Sequence, residues 1–172
     1  MFSFPVSKFI ELCSLFQKLA ADLRTTLLPE YHNLLSFLLA FLPKNVSTDA
    51  LETLLATIAA FFKYLLVPSL QSSPKLLETT WEELCSTFPK CLPDIQRAMA
   101  EVWGTLLRRL KGNEMKEKAM TLLAQNLEGL ESSWATAFVY ACKASLYSTH
   151  ANVGSFYFSL FRKLCIHAPR HC

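Results

Sequence analysis

The sequence predicts an all-α fold: a HEAT/armadillo-like α-solenoid fragment of about eight helices in four antiparallel pairs. Of its 172 residues, 52% are hydrophobic and only 18% are charged, which excludes a disordered chain. With only 4 Gly, an all-β fold built on tight turns is disfavoured, as is a glycine-rich phosphate loop. Apolar residues recur at helical spacing between Pro, Gly and polar turn residues. We expect one unit, residues 1–172, belonging to a longer array.

The first two helices are bounded by proline residues. The first is predicted over about residues 5–24 from its apolar periodicity. The second is expected to begin at Pro29, because the N–H that proline lacks would have no intrahelical partner at the first helical position. It is expected to end at Pro43.

The third predicted helix has the clearest apolar stripe in the chain. It is expected to begin at Ser47, Thr48 and Asp49, where Asp49 followed by Glu52 resembles a capping arrangement. Its stripe consists of Leu51, Leu54, Leu55, Ile58, Phe62 and Leu65. A fourth helix is predicted between Pro74 and about residues 88–89.

Four further helices complete the prediction. The fifth begins near Pro93 and ends at Gly112, a residue that tolerates a left-handed cap, and Asn113 is expected to cap the sixth. The seventh and eighth are predicted over about residues 133–148 and 152–167. The stripe of the fifth helix consists of Ile95, Met99, Val102, Trp103, Leu106 and Leu110.

The odd-numbered helices are predicted to begin near residues 5, 48, 93 and 133, at the roughly 40- to 45-residue period of HEAT and armadillo units. Residue identity does not repeat cleanly. Stacked helix pairs bury their apolar faces against one another, which would explain the high apolar content. Phenylalanine residues near both ends predict that neighbouring repeats pack there.

A membrane-spanning segment is not expected. The most apolar stretch, residues 31–43, is shorter than the about 20 residues that a spanning helix needs. Residues 144–161 lack charge but contain eight Ser, Thr, His, Asn or Gly residues. The first residues do not form a signal peptide pattern. We therefore expect an intracellular protein with no membrane partner, whose 6 Cys are thiols rather than disulfides.

Residues 95–110 read I-Q-R-A-M-A-E-V-W-G-T-L-L-R-R-L. This segment resembles the "I-R-x-x-A-A-E-x-F-x-F-L-x-R-K" helix of the small-subunit processome component 20 family, also called the down-regulated-in-metastasis family. Residues 9–42, 51–66 and 138–145 are similar to family segments in the same order. The likeness thus covers most of the chain.

The resemblance implies a segment of a very large HEAT-repeat scaffold. It implies a role in nucleolar assembly of the pre-ribosomal small subunit and in pre-18S rRNA processing, hence localisation in the nucleus and nucleolus. The partners implied are pre-ribosomal proteins, neighbouring helical repeats and the phosphate backbone of pre-rRNA.

Catalytic motifs are missing from the sequence. It contains no G-x-S-x-G, no G-x-x-x-x-G-K-[ST] and no G-x-G-x-x-G. A triad stays open, because spatial geometry and not sequence order defines it. We expect no enzyme and no cofactor. The remaining enzyme alternative is a helical hydrolase with an unrecognised polar pocket.

One cluster near the C-terminus has residue types that bind zinc. It consists of Cys165, His167, His171 and Cys172. Because His171 and Cys172 are adjacent, they can rarely point at one ion, so no metal site is predicted. Cys85 and Cys91 lack a C-x-x-C spacing and are expected to pack as small hydrophobic residues.

Basic residues gather around the predicted turn at Gly112 and form the candidate contact site for RNA or a partner. They are Arg108, Arg109, Lys111, Lys116 and Lys118. Such a turn could contact phosphates without sequence preference. On electrostatic grounds the preferred interpretation is a solvated helix end, since cations favour helix C-termini and neighbouring glutamates partly neutralise the cluster; the family resemblance adds weight to the phosphate contact.

Two further alternatives concern binding. The aromatic residues Phe156, Tyr157, Phe158 and Phe161 could stack on bases, but burial against a neighbouring helix pair is the preferred interpretation. A generic α-solenoid adaptor of transport or signalling would instead bind helical peptides in a groove.

Overall fold

A computed structural model describes residues 5–44, 47–110 and 113–125 of the chain. Within these ranges the regular structure is helical and contains no strand, which confirms the all-α prediction. The helices predicted over residues 133–148 and 152–167, the cluster near Cys172 and the aromatic residues 156–161 lie outside the described ranges.

Two helices and a 3₁₀ segment form the N-terminal part of the described chain. Helix α1 spans Val6–Leu23, the 3₁₀ segment spans Arg24–Glu30, and α2 spans Tyr31–Leu39. The prediction that α2 begins at Pro29 is wrong: Pro29 lies inside the 3₁₀ segment, which continues in helical geometry into Tyr31. Helix α2 also ends before Pro43, because the chain tightens after Leu39 into turns with hydrogen bonds three residues back.

The next part of the chain forms one continuous helical stretch. It consists of α3 (Thr48–Phe61), a π-helical segment (Phe62–Leu66) and α4 (Val67–Ser69). Its N-cap is Ser47, whose hydroxyl accepts the N–H of Ala50 at 3.4 Å. The expected Asp49 cap is wrong; Asp49 lies in the first turn, where its charge complements the helix dipole.

The π-helical segment precedes a proline in α4. Pro68 lacks the N–H that an α-helix would donate four residues back, and the backbone N–H of Val67 donates instead to Phe62, five residues back. The wider turn therefore lets the helix continue through Pro68. Helix α5 (Lys75–Thr87) and a 3₁₀ turn (Phe88–Lys90) follow.

The last two described helices are α6 (Pro93–Arg109) and α7 (Asn113–Gln125). Helix α6 begins at Pro93 as predicted, but the prediction that it ends at Gly112 is wrong, because the backbone is already extended at Leu110. Asn113, expected as the cap of the next helix, is the first residue of α7. The whole predicted stripe of α6 is buried, which confirms its helical period. Gln96 is buried too, and its Nε2 donates to the carbonyl oxygens of Phe88 and Cys91 at 3.1 and 3.0 Å. It thereby fixes the turn between α5 and α6.

The helices pack in two rows. In the first row, α3 lies between α1 and α6, and these three helices begin at Val6, Thr48 and Pro93. In the second row, α5 contacts both α2 and α7. One continuous apolar core fills the space between the rows. Its largest fully buried side chains are Trp103, Tyr31, Phe61, Phe62, Leu35, Leu38, Leu42, Leu54, Ile58, Leu65 and Leu66.

The stretch Thr48–Ser69 is long and apolar enough to cross a membrane by length and composition, with a mean hydropathy of 1.7. The prediction that no segment spans a membrane rested on residues 31–43 and 144–161 and did not consider this stretch. A buried core helix passes the same test, and here 44% of the apolar window is buried inside the protein. Its central place between α1 and α6 accounts for that composition.

Candidate functional site

The basic residues predicted as a contact site have different surroundings. Arg108 and Arg109 are exposed on the last turn of α6, whereas Lys116 and Lys118 on α7 are partly buried. Lys111 lies outside the described residues. Lys118 Nζ forms an ion pair of 2.7 Å with Glu78 Oε1 on α5, so this lysine connects two helices of the fold.

A second group of basic residues surrounds Tyr64 on the π-helical segment. Lys63 Nζ donates a hydrogen bond of 2.7 Å to the Tyr64 hydroxyl and lies 4.4 Å from the centre of its ring. The Lys63 hydrogen bond and charge, followed by the charges of Arg109 and Arg24, lower the pKa of Tyr64. Three cations from separate parts of the chain thus act on one phenol. We call Arg24, Lys63, Tyr64 and Arg109 the cross-repeat cluster.

Helix packing accounts for this grouping. The 3₁₀ segment that begins with Arg24 packs on the π-helical segment, and α6, which ends with Arg109, packs on the same segment. Arg24 and Arg109 lie at the C-terminal ends of α1 and α6, where a cation complements the helix dipole.

Sequence reasoning found Arg109 and missed Arg24 and Lys63. The signal that could have found them is their spacing, because Arg24, Lys63 and Arg109 lie roughly one 40- to 45-residue repeat apart. They hold similar places late in the helices of the first row.

The backbone at Arg24 is unusual. Its φ of 48° and ψ of −125° fall in a region that favours glycine, and among the described residues it is the single non-glycine with positive φ. The Arg24 backbone N–H donates to Ala20 O, and its Nε donates to Ala21 O at 3.4 Å. An exposed arginine therefore stands where a glycine would relieve strain.

A polar group at the contact of α2 with α5 has the residue types of a catalytic triad. His32 Nδ1 lies 2.8 Å from Glu83 Oε1, and the Thr79 hydroxyl lies 3.5 Å from His32 Nε2. The Thr79 hydroxyl is also 3.2 Å from Leu76 O, to which it donates. The Glu83 carboxylate can orient the His32 ring. The contacts of His32 with Glu83 and Thr79 also connect α2 to α5.

An apolar depression lies near this group but does not include it. It is lined by side chains of α2, α5 and α6, among them Leu39, Leu84 and Met99. None of His32, Thr79 and Glu83 belongs to that lining. The contacts of the three residues therefore favour a role in helix packing.

The described cysteines are free thiols in apolar surroundings. Burial raises the pKa of Cys13, and it raises the pKa of Cys91 to about 11. Burial, with a smaller contribution from the charge of Glu82, raises the pKa of Cys85 to about 12. A thiol held neutral is a poor nucleophile and metal ligand. Among the described residues, no three His, Cys, Asp or Glu side chains are placed to hold a metal.

No family model, no curated protein and no solved structure matches the chain. The resemblance to the small-subunit processome component 20 family, with the function that it implies, stays a prediction from the residues.

Proposed function

We propose that the chain is a non-catalytic α-solenoid segment that acts as a scaffold. In this proposal it resembles the small-subunit processome component 20 family and works in nucleolar pre-ribosomal small-subunit assembly and pre-18S rRNA processing. Its partners are pre-ribosomal proteins, neighbouring repeats and the phosphate backbone of pre-rRNA. The observation that supports the solenoid is the pair of helix rows, α1 with α3 and α6, and α2 with α5 and α7.

The repeat spacing supports the same arrangement. The first-row helices begin at Val6, Thr48 and Pro93, within the roughly 40- to 45-residue period of HEAT units. In a solenoid, each repeat contacts its neighbours, so equivalent helices line up in rows.

Polar side chains join equivalent helices in both rows. Gln17 Nε2 on α1 donates to the Thr57 hydroxyl on α3 at 3.0 Å. In the second row, the Tyr31 and Thr80 hydroxyls lie 3.0 Å apart between α2 and α5. The Lys118–Glu78 ion pair joins α7 to α5. Such directional contacts favour one register of neighbouring pairs, which is what a rigid scaffold requires.

The test is affinity purification of the tagged full chain from cells, with quantification of co-purified precursor rRNA. The proposal predicts recovery of pre-18S rRNA and small-subunit assembly proteins, and nucleolar staining of the tagged chain. A parallel purification after ribonuclease treatment separates protein contacts from RNA-mediated ones. An unrelated helical-repeat protein with the same tag serves as the control.

Recovery of only cargo receptors or signalling proteins, without precursor rRNA above the control, would contradict the scaffold proposal and favour the adaptor alternative. Hydrolase activity that is lost in His32→Gln would instead revive the enzyme alternative.

A further inference from the structure

The cross-repeat cluster brings together cations from three successive parts of the first row. Arg24, Lys63 and Arg109 are all exposed. We propose that the cluster is a binding surface for the phosphate backbone of single-stranded RNA. It deepens the proposed function by naming the RNA-binding surface, and it rests on that function only in taking the RNA to be ribosomal.

The positive charges of the cluster are not neutralised within the described part of the chain. Lys118 forms an ion pair with Glu78, and Glu83 contacts His32; neither contact includes a member of the cluster. Asp22 lies two residues before Arg24 but forms no ion pair with it. Lys63 and the two arginines therefore keep donors available for an anionic ligand.

The spacing of the cations favours a polymeric anion. Packed helices lie about 8–10 Å apart, so cations carried by three neighbouring helical elements spread charge over roughly 16–20 Å. A single phosphate is too small to contact all of them at once, whereas successive phosphates of an extended strand can.

The partly exposed Tyr64 ring favours nucleic acid over an acidic protein segment. Single-strand binders combine a basic surface with aromatic side chains next to the bases. The cluster has that composition: Tyr64 contacts Lys63, and the elements that carry Arg24 and Arg109 pack on the segment that carries Tyr64.

The strained backbone at Arg24 is a second, independent observation. A positive φ at a non-glycine residue raises the free energy of the folded chain and is found preferentially at functional sites. The exposed Arg24 side chain makes one long hydrogen bond, to Ala21 O, which explains little of that strain. Binding of an anion by the Arg24 guanidinium would explain why an arginine occupies this strained position.

The test uses the purified full chain and a fluorescently labelled 20-nucleotide RNA of mixed sequence, in anisotropy titrations over a range of NaCl concentrations. The triple variant Arg24→Ala, Lys63→Ala and Arg109→Ala removes the cluster. Loss of three phosphate contacts should make the negative slope of log K against log salt concentration shallower by about 2. It should also weaken binding at least about tenfold at moderate salt.

A matched triple variant removes the same charge elsewhere. Lys8→Ala, Lys75→Ala and Lys90→Ala replace exposed lysines that do not belong to the cluster. We expect its RNA affinity to stay within about threefold of the unmodified chain. Equal loss in both triple variants would reduce the effect to net charge and overturn the proposal. Unchanged binding in the cluster variant, or no RNA binding by the unmodified chain at low salt, would overturn it as well.

Arg24→Gly separates binding from folding. Glycine relieves the positive-φ strain, so the melting temperature should rise by about 2–4 °C while RNA binding weakens. A variant that is more stable yet binds less tightly excludes misfolding as the cause. Retained RNA affinity in Arg24→Gly would remove Arg24 from the site and contradict the proposal.

A polyglutamate peptide is titrated in parallel. Tighter binding of this peptide than of RNA, with loss in the cluster variant, would assign the surface to an acidic protein and overturn the RNA proposal. Because these titrations use synthetic ligands, the RNA surface can fail while the chain still co-purifies with pre-ribosomal particles, and the reverse can also occur.

Discussion

Lys118 Nζ lies 2.7 Å from Glu78 Oε1, and this ion pair connects α7 to α5 in the second row of helices. The sequence places Lys118 in one basic group with Arg108 and Arg109, because all three lie near the same predicted turn. In the structure, Lys118 already has an anionic partner, whereas the charge of Arg109 acts on Tyr64 across the first row. The two residues are therefore expected to respond differently to substitution.

Lys118→Ala is expected to lower the free energy of unfolding by about 0.2–1 kcal/mol, the usual value of a partly exposed ion pair, and to leave RNA affinity nearly unchanged. Urea denaturation measures the first effect and filter binding the second. Glu78→Ala and the double variant complete a cycle that isolates the coupling energy. Lys116→Ala, on the same helix, is the charge-matched control.

The expectation for Arg108→Ala with Arg109→Ala is the opposite: weaker RNA binding, a smaller salt slope and little change in stability. If Lys118→Ala instead reduces RNA affinity as much as this double variant, the assignment of Lys118 to helix packing and of Arg109 to RNA binding is incorrect.

The buried hydroxyl pair between α2 and α5 predicts an asymmetric response. The Thr80 hydroxyl donates to Leu76 O at 2.7 Å, which leaves it to accept from the fully buried Tyr31 hydroxyl at 3.0 Å. Tyr31→Phe removes one donor and should lower the unfolding free energy by about 0.5–1.5 kcal/mol. Thr80→Val leaves the Tyr31 hydroxyl buried without a partner and should lower it by about 1–3 kcal/mol.

Urea denaturation of both single variants and the double variant checks this order. Tyr31→Phe combined with Thr80→Val should be more stable than the sum of the single changes implies, because no buried hydroxyl then lacks a partner. A larger loss in Tyr31→Phe than in Thr80→Val would contradict the assigned direction of the hydrogen bond.

Gln96 predicts how strongly the turn between α5 and α6 depends on one side chain. Gln96→Leu keeps much of the side-chain volume but removes both donated hydrogen bonds. Phe88 O still accepts the N–H of Cys91, whereas Cys91 O loses the Gln96 donor. The expected loss of unfolding free energy is about 1–3 kcal/mol.

Gln71→Leu is the matched control, because Gln71 is exposed and its replacement should change stability by no more than about 0.5 kcal/mol. Thermal and urea denaturation measure both variants. Equal effects in the two would show that the Gln96 amide does not hold the turn.

The sequence predicted the all-helical fold class because apolar periodicity depends only on neighbouring residues. The buried stripe of α6, from Ile95 to Leu110, follows directly from that period. The start of α2 and the capping role of Ser47 could not be predicted from apolar periodicity. Pro29 is compatible with both a first helical residue and a 3₁₀ turn, and both Ser47 and Asp49 have side chains that can cap a helix.

The candidate site was less predictable than the fold, because its members are far apart in the chain. Arg109 lies among neighbouring basic residues and was found from the sequence. Lys63 precedes Tyr64 directly but has no basic neighbours, and Arg24 lies on an element that approaches the Tyr64 segment only through helix packing. The strain at Arg24 is likewise invisible in the sequence, since an arginine gives no indication of positive φ.

The buried thiols predict slow alkylation in the folded chain. The ordinary Cys pKa is 9.0, and burial raises the pKa of Cys91 to about 11 and of Cys85 to about 12. At pH 9, about half of the unfolded thiols are ionised, but only about one in a hundred Cys91 side chains and fewer Cys85 side chains in the folded state. Since the thiolate is the reacting form, iodoacetamide should modify both at least about tenfold more slowly than in urea.

The same pKa shifts set the direction of a pH effect on stability. Folding favours the neutral thiol, so the contribution of these cysteines is fully present below pH 9 and is lost as pH rises toward 11 to 12. Unfolding free energies at pH 8 and 10 should therefore differ less in Cys85→Ala with Cys91→Ala than in the unmodified chain. Peptide mapping after timed alkylation assigns each rate to its cysteine. Modification of folded Cys85 at the denatured rate at pH 9 would show that its surroundings do not hold the thiol neutral.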